Sequence, residues 1–221
     1  MIITIDGPAA AGKGTLSEAL AKAYGLVKFD TGMLYRAVGI YMVRNNQDLH
    51  DEQLAEQAAQ NLTFQSMMEL SKDVDFRSAV GANAASVVSA HPLVRKALLK
   101  MQQDFAVSPC FADGTPANGV VYDGRDTGTV ICPHAPVKFF ITASSEVRAK
   151  RRYDEYVAAG KQVEYEEVLA DVRKRDERDS SRSSAPLKPA EDALIVDTSL
   201  LNIEEVIAKA KSYIDEKMLA K

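Results

Sequence analysis

Few stretches leave a chain as little choice of fold as residues 2 to 15 leave this one. Ile2-Ile3-Thr4-Ile5 reads as a short strand, and Asp6-Gly7-Pro8-Ala9-Ala10-Ala11-Gly12-Lys13-Gly14-Thr15 as a loop running into a helix. Gly7, four intervening residues, Gly12 and Lys13 match a phosphate-cradling loop, and the strand before and helix after supply its required context. Glycines let the backbone curl around an oxyanion with its N–H groups inward, and the helix adds its positive N-terminal end. Lys13 is then placed to neutralise the outer phosphates of a nucleotide. The pattern departs from the usual form at Gly14, with the hydroxyl arriving one residue later at Thr15.

The rest of the chain suits a globular α/β protein built on that start. Its 221 residues are 46% hydrophobic and 26% charged, ordinary values for a soluble domain with ample chain for a core. A net charge of −4 argues against a general binder of nucleic acid or anionic membrane, both of which select basic surfaces. Bound phosphates would then need a local basic cleft. Cys110 and Cys132 are too few for a disulfide framework and suit a reducing compartment. No signal peptide and no apolar stretch near the ~20 residues of a spanning helix is visible, so a cytoplasmic protein is expected.

Strand and helix signals alternate along the chain. Leu16, Leu20, Ala23 and Tyr24 share a helical face that stops at Gly25. Leu26–Phe29 is a strand leading to Asp30-Thr31-Gly32, and Met33–Arg44 a helix with Leu34, Val38, Tyr41 and Met42 near one face. Residues 45–72 are polar, with a helix near Glu52–Gln60 and a short strand at Leu62–Gln65. Phe76–Ala90 is helix-compatible, and Pro92 opens a helix burying Leu93, Ala97, Leu98, Met101 and Phe105. Val107–Gly119, rich in proline and glycine, reads as a mobile loop. Strands follow at Gly119–Tyr122, Val137–Ile141 and Ala193–Val196. Between them lie a helix capped by Ser144 or Ser145 and a charged helix over about Tyr165–Arg178, extending up to a turn further. A final helix opens on Asn202 and Glu205 in capping-box spacing. The rhythm predicts a parallel sheet of five strands with helices on both faces.

In open parallel sheets ligands bind beyond the carboxyl ends of the strands. The phosphate loop, Asp30-Thr31-Gly32 with Tyr35-Arg36, and Asp123-Gly124-Arg125-Asp126 all fall there. Arg175, Asp179 and Arg182, spaced four and three apart, lie on one stripe if their helix extends that far, and Arg148, Arg151 and Arg152 share a face. Beside a phosphate loop such arginine-rich helices suggest a closing lid, because phosphoryl transfer asks mainly for positioning and positive charge. An Asn-Lys-x-Asp guanine-reading motif and a Leu-Ser-Gly-Gly-Gln segment are both absent. His50, His91 and His134 stand alone, and no histidine–cysteine grouping has zinc spacing.

Taken together, these stretches resemble the bacterial cytidylate (CMP/dCMP) kinases, in the nucleoside-monophosphate kinase group of P-loop NTPase proteins. The resemblance runs nearly end to end. It rests on Asp6-Gly7-Pro8-Ala9 with Gly12-Lys13-Gly14-Thr15, Asp30-Thr31-Gly32 with Tyr35-Arg36, and Ala82-Asn83-Ala84-Ala85-Ser86 with Val94-Arg95. It continues through Asp123-Gly124-Arg125-Asp126 with Gly128-Thr129-Val130, Ala135–Lys138, Arg148-Ala149 with Arg151-Arg152, and Arg175-Asp176 with Arg178-Asp179 and Arg182. Ala185-Pro186-Leu187 and Ala193-Leu194 complete it. The Gly14-Thr15 shift is usual in this group. The phosphate loop alone is family-neutral, whereas the Asp-Gly-Arg-Asp and arginine–aspartate segments together are diagnostic.

The resemblance implies transfer from ATP to CMP, with dCMP as second acceptor, by direct in-line phosphoryl transfer assisted by Mg²⁺. Gly7, Pro8, Ala9, Ala10, Ala11, Gly12, Lys13, Gly14 and Thr15 would hold the donor. Ser86, Arg95 and Asp126 would read cytosine, and Arg36 and Arg125 would clamp the acceptor phosphate. Thr31 would also contact the acceptor, with Arg175, Asp179 and Arg182 around its sugar and phosphate. Lys13, Arg125, Arg148, Arg152 and Arg182 would be catalytic, and Thr15 with Asp123 would meet the metal. The attacking oxygen belongs to an already ionised phosphate, so no protein general base is implied. A single P-loop kinase domain over 1–221 is expected. Its core is 1–44, 82–147 and 183–221, its acceptor-binding arm about 45–81, and its arginine-rich lid about 148–182. A monomer acting on small molecules, with no nucleic-acid or membrane partner, is expected. Two regions depart from the family: 62–81 is shorter than the usual sheet-bearing insert, and 107–119 is longer. The alternatives are a kinase of the same scaffold for UMP, AMP or a non-nucleotide acceptor, and a phosphate-loop switch that hydrolyses without transfer.

Overall fold

The structure, a computed structural model, describes residues 1–219; the last two residues assigned to the core lie outside them. The chain divides into two compact units. One comprises Met1–Phe29, Ser108–Ser181 and Ala185 onward, and the other Asp30–Val107 with Arg182–Ser184.

The first unit is built on a parallel sheet. Its strands are β1 (Ile2–Asp6), β2 (Val27–Asp30), β3 (Val120–Asp123), β4 (Val137–Thr142) and β5 (Leu194–Asp197), in the spatial order β2-β3-β1-β4-β5. The register pairs Ile3 with Val121 on one side and with Val137 on the other. Period-two alternation sorts the faces. Ile3, Ile5, Val121, Val137, Phe139 and Ile141 turn to a core shared with Leu16, Leu20 and Ala21 of helix α1 (Lys13–Tyr24). Val206, Ala210 and Ile214 of the final helix (Ile203–Leu219) close that core. The alternate positions Thr4, Asp6 and Lys138 are polar and also buried.

The second unit is helical: α2 (Gly32–Arg44), α3 (Glu52–Gln60), α4 (Phe64–Leu70), α5 (Ala79–Val88) and α6 (Pro92–Val107). A β-carbon at Gly39 of α2 would lie 2.7 Å from that of Ala84 in α5, so this glycine lets the two helices approach closely. Arg44 pins the segment before α5 through ion pairs to Asp73 at 2.6 Å and Asp75 at 2.8 Å.

Several expectations are corrected. The strand at 62–65 is replaced by α4, because Thr63 and Ser66 form a reciprocal capping box that starts a helix. On α1 the buried residues are Lys13, Leu16, Ser17, Leu20 and Ala21, while Ala23 is exposed. Tyr41 is 43% exposed on α2. The buried stripe of α6 is Val94, Arg95, Leu98 and Gln102, about one residue round from the hydrophobic reading, because it includes two polar side chains. The 107–119 segment is a loop, as expected, and carries internal bonds: Phe111 N–H donates to Thr115 O at 2.8 Å and Ala117 N–H to Pro109 O at 2.8 Å.

The remaining elements of the first unit are α7 (Ser145–Ala158), α8 (Tyr165–Ser180), α9 (Ile203–Leu219) and a π-helical turn (Thr127–Ile131) that sequence periodicity gave no sign of. Ser144 caps α7 by accepting from Val147 N–H at 3.2 Å, and Asn202 and Glu205 bond reciprocally at the start of α9.

Candidate active site

In the first unit the loop after β1 has the backbone an anion site requires. Gly7 (φ 145°), Ala10 (φ 59°) and Gly12 (φ 95°) take positive φ values. Gly12 is the N-cap of α1 and offers no side-chain cap, and the first turn carries no acidic residue. The first N–H groups of the helix are therefore left to a ligand, and nothing in that turn opposes an anion. Lys13 is buried at 6% exposure, its Nζ donating to Pro8 O at 2.9 Å. Thr15 is exposed in the first turn of α1. A β-carbon at Gly14 would lie 3.6 Å from Asp123 Oδ2, so the carboxylate ending β3 stands directly beside the helix start.

Two carbonyls of the loop are held by α7. Arg148 donates from Nε to Ala143 O at 2.9 Å and from Nη1 to Ala9 O at 3.2 Å. It also forms a two-point pair with Asp176 of α8, with Nη1 to Oδ1 at 3.0 Å. Arg151 donates to Thr198 O at 2.8 Å and to Thr198 Oγ1 at 3.0 Å, with Nη1 3.5 Å from Ala11 O. Thr198 Oγ1 lies 3.3 Å from the same Ala11 carbonyl. Arg152 donates from Nε to Tyr156 Oη at 3.1 Å, its guanidinium 5.0 Å over the Tyr156 ring. Sequence reasoning counted Arg151 only as part of a basic face, and gave no role to Asp176 or Thr198. Their partners lie in distant segments, and no local spacing marks them.

The Asp123–Asp126 cluster is organised by Asp6. Its Oδ1 accepts from Thr127 N–H and Thr127 Oγ1–H, both at 2.8 Å, and its Oδ2 from Gly128 N–H at 2.7 Å. Burial pushes the Asp6 carboxyl up to about 6, with these hydrogen bonds pulling the other way. Desolvation likewise raises Cys132 to about 11, so the thiol stays protonated. Asp126 is buried at the start of the pinned turn. Arg125 donates from Nε to Asp179 Oδ2 at 3.1 Å, with Asp179 2% exposed. Arg175 is half-buried on α8.

The second unit holds Thr31, Arg36, Ser86, Arg95 and Arg182. Thr31 is buried at the head of α2, where Gly32 N–H donates to Asp30 Oδ1 at 2.9 Å. Arg36 donates to Phe76 O at 3.0 Å. Ser86 is buried on α5, and Arg95, buried on α6, lies 5.3 Å over the Tyr35 ring. One placement differs from the sequence reading. Arg182 does not continue the stripe of Arg175 and Asp179, because α8 ends at Ser180 with Ser181 as C-cap. The following Ser183-Ser184-Ala185-Pro186 run is poor in helix formers, and proline disfavours helix in the residue before it. Arg182 instead donates from Nη2 to Ser89 Oγ at 2.9 Å.

A parallel sheet whose first strand runs through a glycine-rich turn into an uncapped helix, with a lysine in its first turn, defines a P-loop kinase scaffold. The family model "Cytidylate kinase" matches residues 3–216. The cytidylate kinase of Xanthobacter autotrophicus is 49% identical over 217 residues, covering 98% of both chains. That of Brucella suis is 46% identical, covering 98% of this chain and 94% of its own. That of Methylocella silvestris is 49% identical over 210 residues, covering 95% and 92%. Among solved structures, an uncharacterized protein from Eubacterium ventriosum shares the fold at 14% identity, with a TM-score of 0.54 over 97% of this chain and 98% of its own. This chain belongs to the cytidylate kinase family. No described helix is long and apolar enough to cross a membrane.

Proposed function

We propose that the protein phosphorylates CMP, and dCMP as a second acceptor, at the expense of ATP. The observation that carries this reading is the uncapped, acid-free start of α1 behind a positive-φ loop, in a chain of the cytidylate kinase family. The donor phosphates would lie on the N–H groups of Gly7–Thr15, with Lys13 adding charge where it develops on the transferred group. A cytosine amino group suits the carboxylate of Asp126, and the hydroxyl of Ser86 and the guanidinium of Arg95 suit its acceptors. Uracil would set a carbonyl against that carboxylate, and mispaired buried polar groups discriminate strongly. Arg36 and Arg125 would hold the acceptor phosphate, and Arg175, Asp179, Arg182 and Thr31 the rest of the nucleotide. Arg125, Arg148, Arg152 and Arg182 remain the candidates for positive charge around the transfer. The attacking phosphate oxygen is ionised at neutral pH, so the protein orients and neutralises rather than removing a proton.

The residues beside the loop fit Mg²⁺. Asp123 and Thr15 offer hard oxygen ligands at the helix start, and no described group of three or more acidic, histidine or cysteine side chains forms a metal cage. That donor set suits a hydrated cation shared with phosphates, whose chemistry is charge neutralisation between donor and acceptor. We assign 45–81 to an acceptor arm and 148–182 to a lid region of a cytoplasmic monomer.

The test is ADP release with CMP, dCMP, UMP, AMP and GMP in turn. CMP and dCMP are expected to exceed the others in kcat/KM by roughly a hundredfold or more. Preference for another acceptor, or ATP hydrolysis that CMP leaves unchanged, would overturn the reading.

A further inference from the structure

We propose that Ser89 is a positioning residue for the acceptor nucleotide, acting through Arg182. This proposal rests on the CMP kinase reading above. Ser89 is the C-cap of α5, where its N–H closes the helix onto Ala85 O. Three residues assigned to the acceptor meet it, Arg182 and Arg95 by side chain and Ser86 by its main-chain carbonyl. Arg182 donates from Nη2 to Ser89 Oγ at 2.9 Å, Arg95 donates from Nη1 to Ser89 O at 3.2 Å, and Ser89 Oγ–H donates to Ser86 O at 3.2 Å.

The directions of these bonds make the arrangement specific. A serine hydroxyl has one proton, and here it is committed to the Ser86 carbonyl, so its lone pairs face the Arg182 guanidinium. Each bond polarises the next along the series Arg182–Ser89–Ser86. The main-chain carbonyl of Ser89 belongs to the end of α5, where helical carbonyls lack intrahelical donors and the dipole is negative; Arg95 supplies both a donor and a positive charge there. Ser89 is 6% exposed and Arg95 7%, so water competes little. One buried residue thereby holds one arginine through its hydroxyl and a second through its main-chain carbonyl. Only the first link is removable by a side-chain substitution.

The experiment is calorimetric titration with CMP, and separately with ATP, of the full chain and of Ser89→Ala, Arg182→Ala and the double variant, each checked for native circular dichroism. Ser89→Ala is expected to weaken CMP binding about tenfold, the loss of one hydrogen bond to a charged group, and to leave ATP affinity within twofold. In the Arg182→Ala background the same substitution is expected to change CMP affinity less than twofold, because the group it acts through is gone. An unchanged CMP affinity in Ser89→Ala, equal losses for CMP and ATP, or a similar tenfold loss in both backgrounds would each overturn the proposal. Failure of the unsubstituted protein to bind or phosphorylate CMP would overturn the kinase reading itself.

Discussion

At Gly7 a β-carbon would sit 1.9 Å from the carbonyl oxygen of Ile141, so the turn that starts the phosphate loop is closed to every other residue without moving β4. Six residues on, the buried ammonium of Lys13 bonds to the carbonyl of Pro8. It is therefore held against the loop it is assigned to serve. For Lys13→Ala we expect a fall in kcat of roughly 10²–10³-fold, the usual cost of removing a charge donor from a transferring group. Its KM for CMP should stay within about threefold in steady-state assays. Reduced stability with near-normal turnover would make Lys13 a structural residue. Glycines and this lysine were legible in the sequence because their role is set by immediate neighbours. Asp6 was not, since its three donors lie at Thr127 and Gly128, 121 and 122 positions away. Ser89 was missed for a similar reason, its Arg182 partner being 93 positions distant.

Among the elements, α7 shows how a helix expected to move as part of a lid is rooted at its start. Arg148 and Arg151 reach the carbonyls of Ala9, Ala11 and Thr198. Arg151→Ala leaves Thr198 O and Oγ1 without that donor, and is expected to cost about 1–3 kcal/mol of stability. It should raise the KM for ATP more than that for CMP. Thermal melting and paired titrations of both substrates check this, and a CMP-selective defect would show that α7 serves the acceptor instead. The five strands, the capped starts of α7 and α9 and the proline-initiated α6 were all readable from local pattern. The extent of α8 was readable only to within a turn. Three of the misreadings share a cause. Hydrophobicity cannot reveal that Arg95 and Gln102 are buried on α6, that Thr63 and Ser66 cap each other, or that a π-turn is pinned by a remote carboxylate.

For the molecule as a whole, the buried charge at Asp6 sets a pH dependence opposite in sign to that of most carboxylates. Its carboxyl is raised from 3.8 to about 6 by burial, so between those values the unfolded chain has ionised and the native one has not. The native state then binds more protons, and stability contributed by this group is lost as pH rises through that window. Below about 3.8 both states are protonated and the effect vanishes. Relative to Asp6→Asn, the unsubstituted protein is expected to lose about 2 kcal/mol of unfolding free energy between pH 4 and pH 7. Urea denaturation of both proteins across that range measures it, and a constant difference would mean that Asp6 titrates normally. The sheet order carries a last consequence, for the chain while it is being made. β1 lies in the middle of the sheet, yet Ile2 pairs with Val120 and Ile3 with Val137. At ~5–20 residues per second, the strand that carries the phosphate loop leaves the ribosome on the order of ten seconds before either neighbour exists. The stretch most committed to function is thus an apolar strand with two open edges for longer than any other in the sheet.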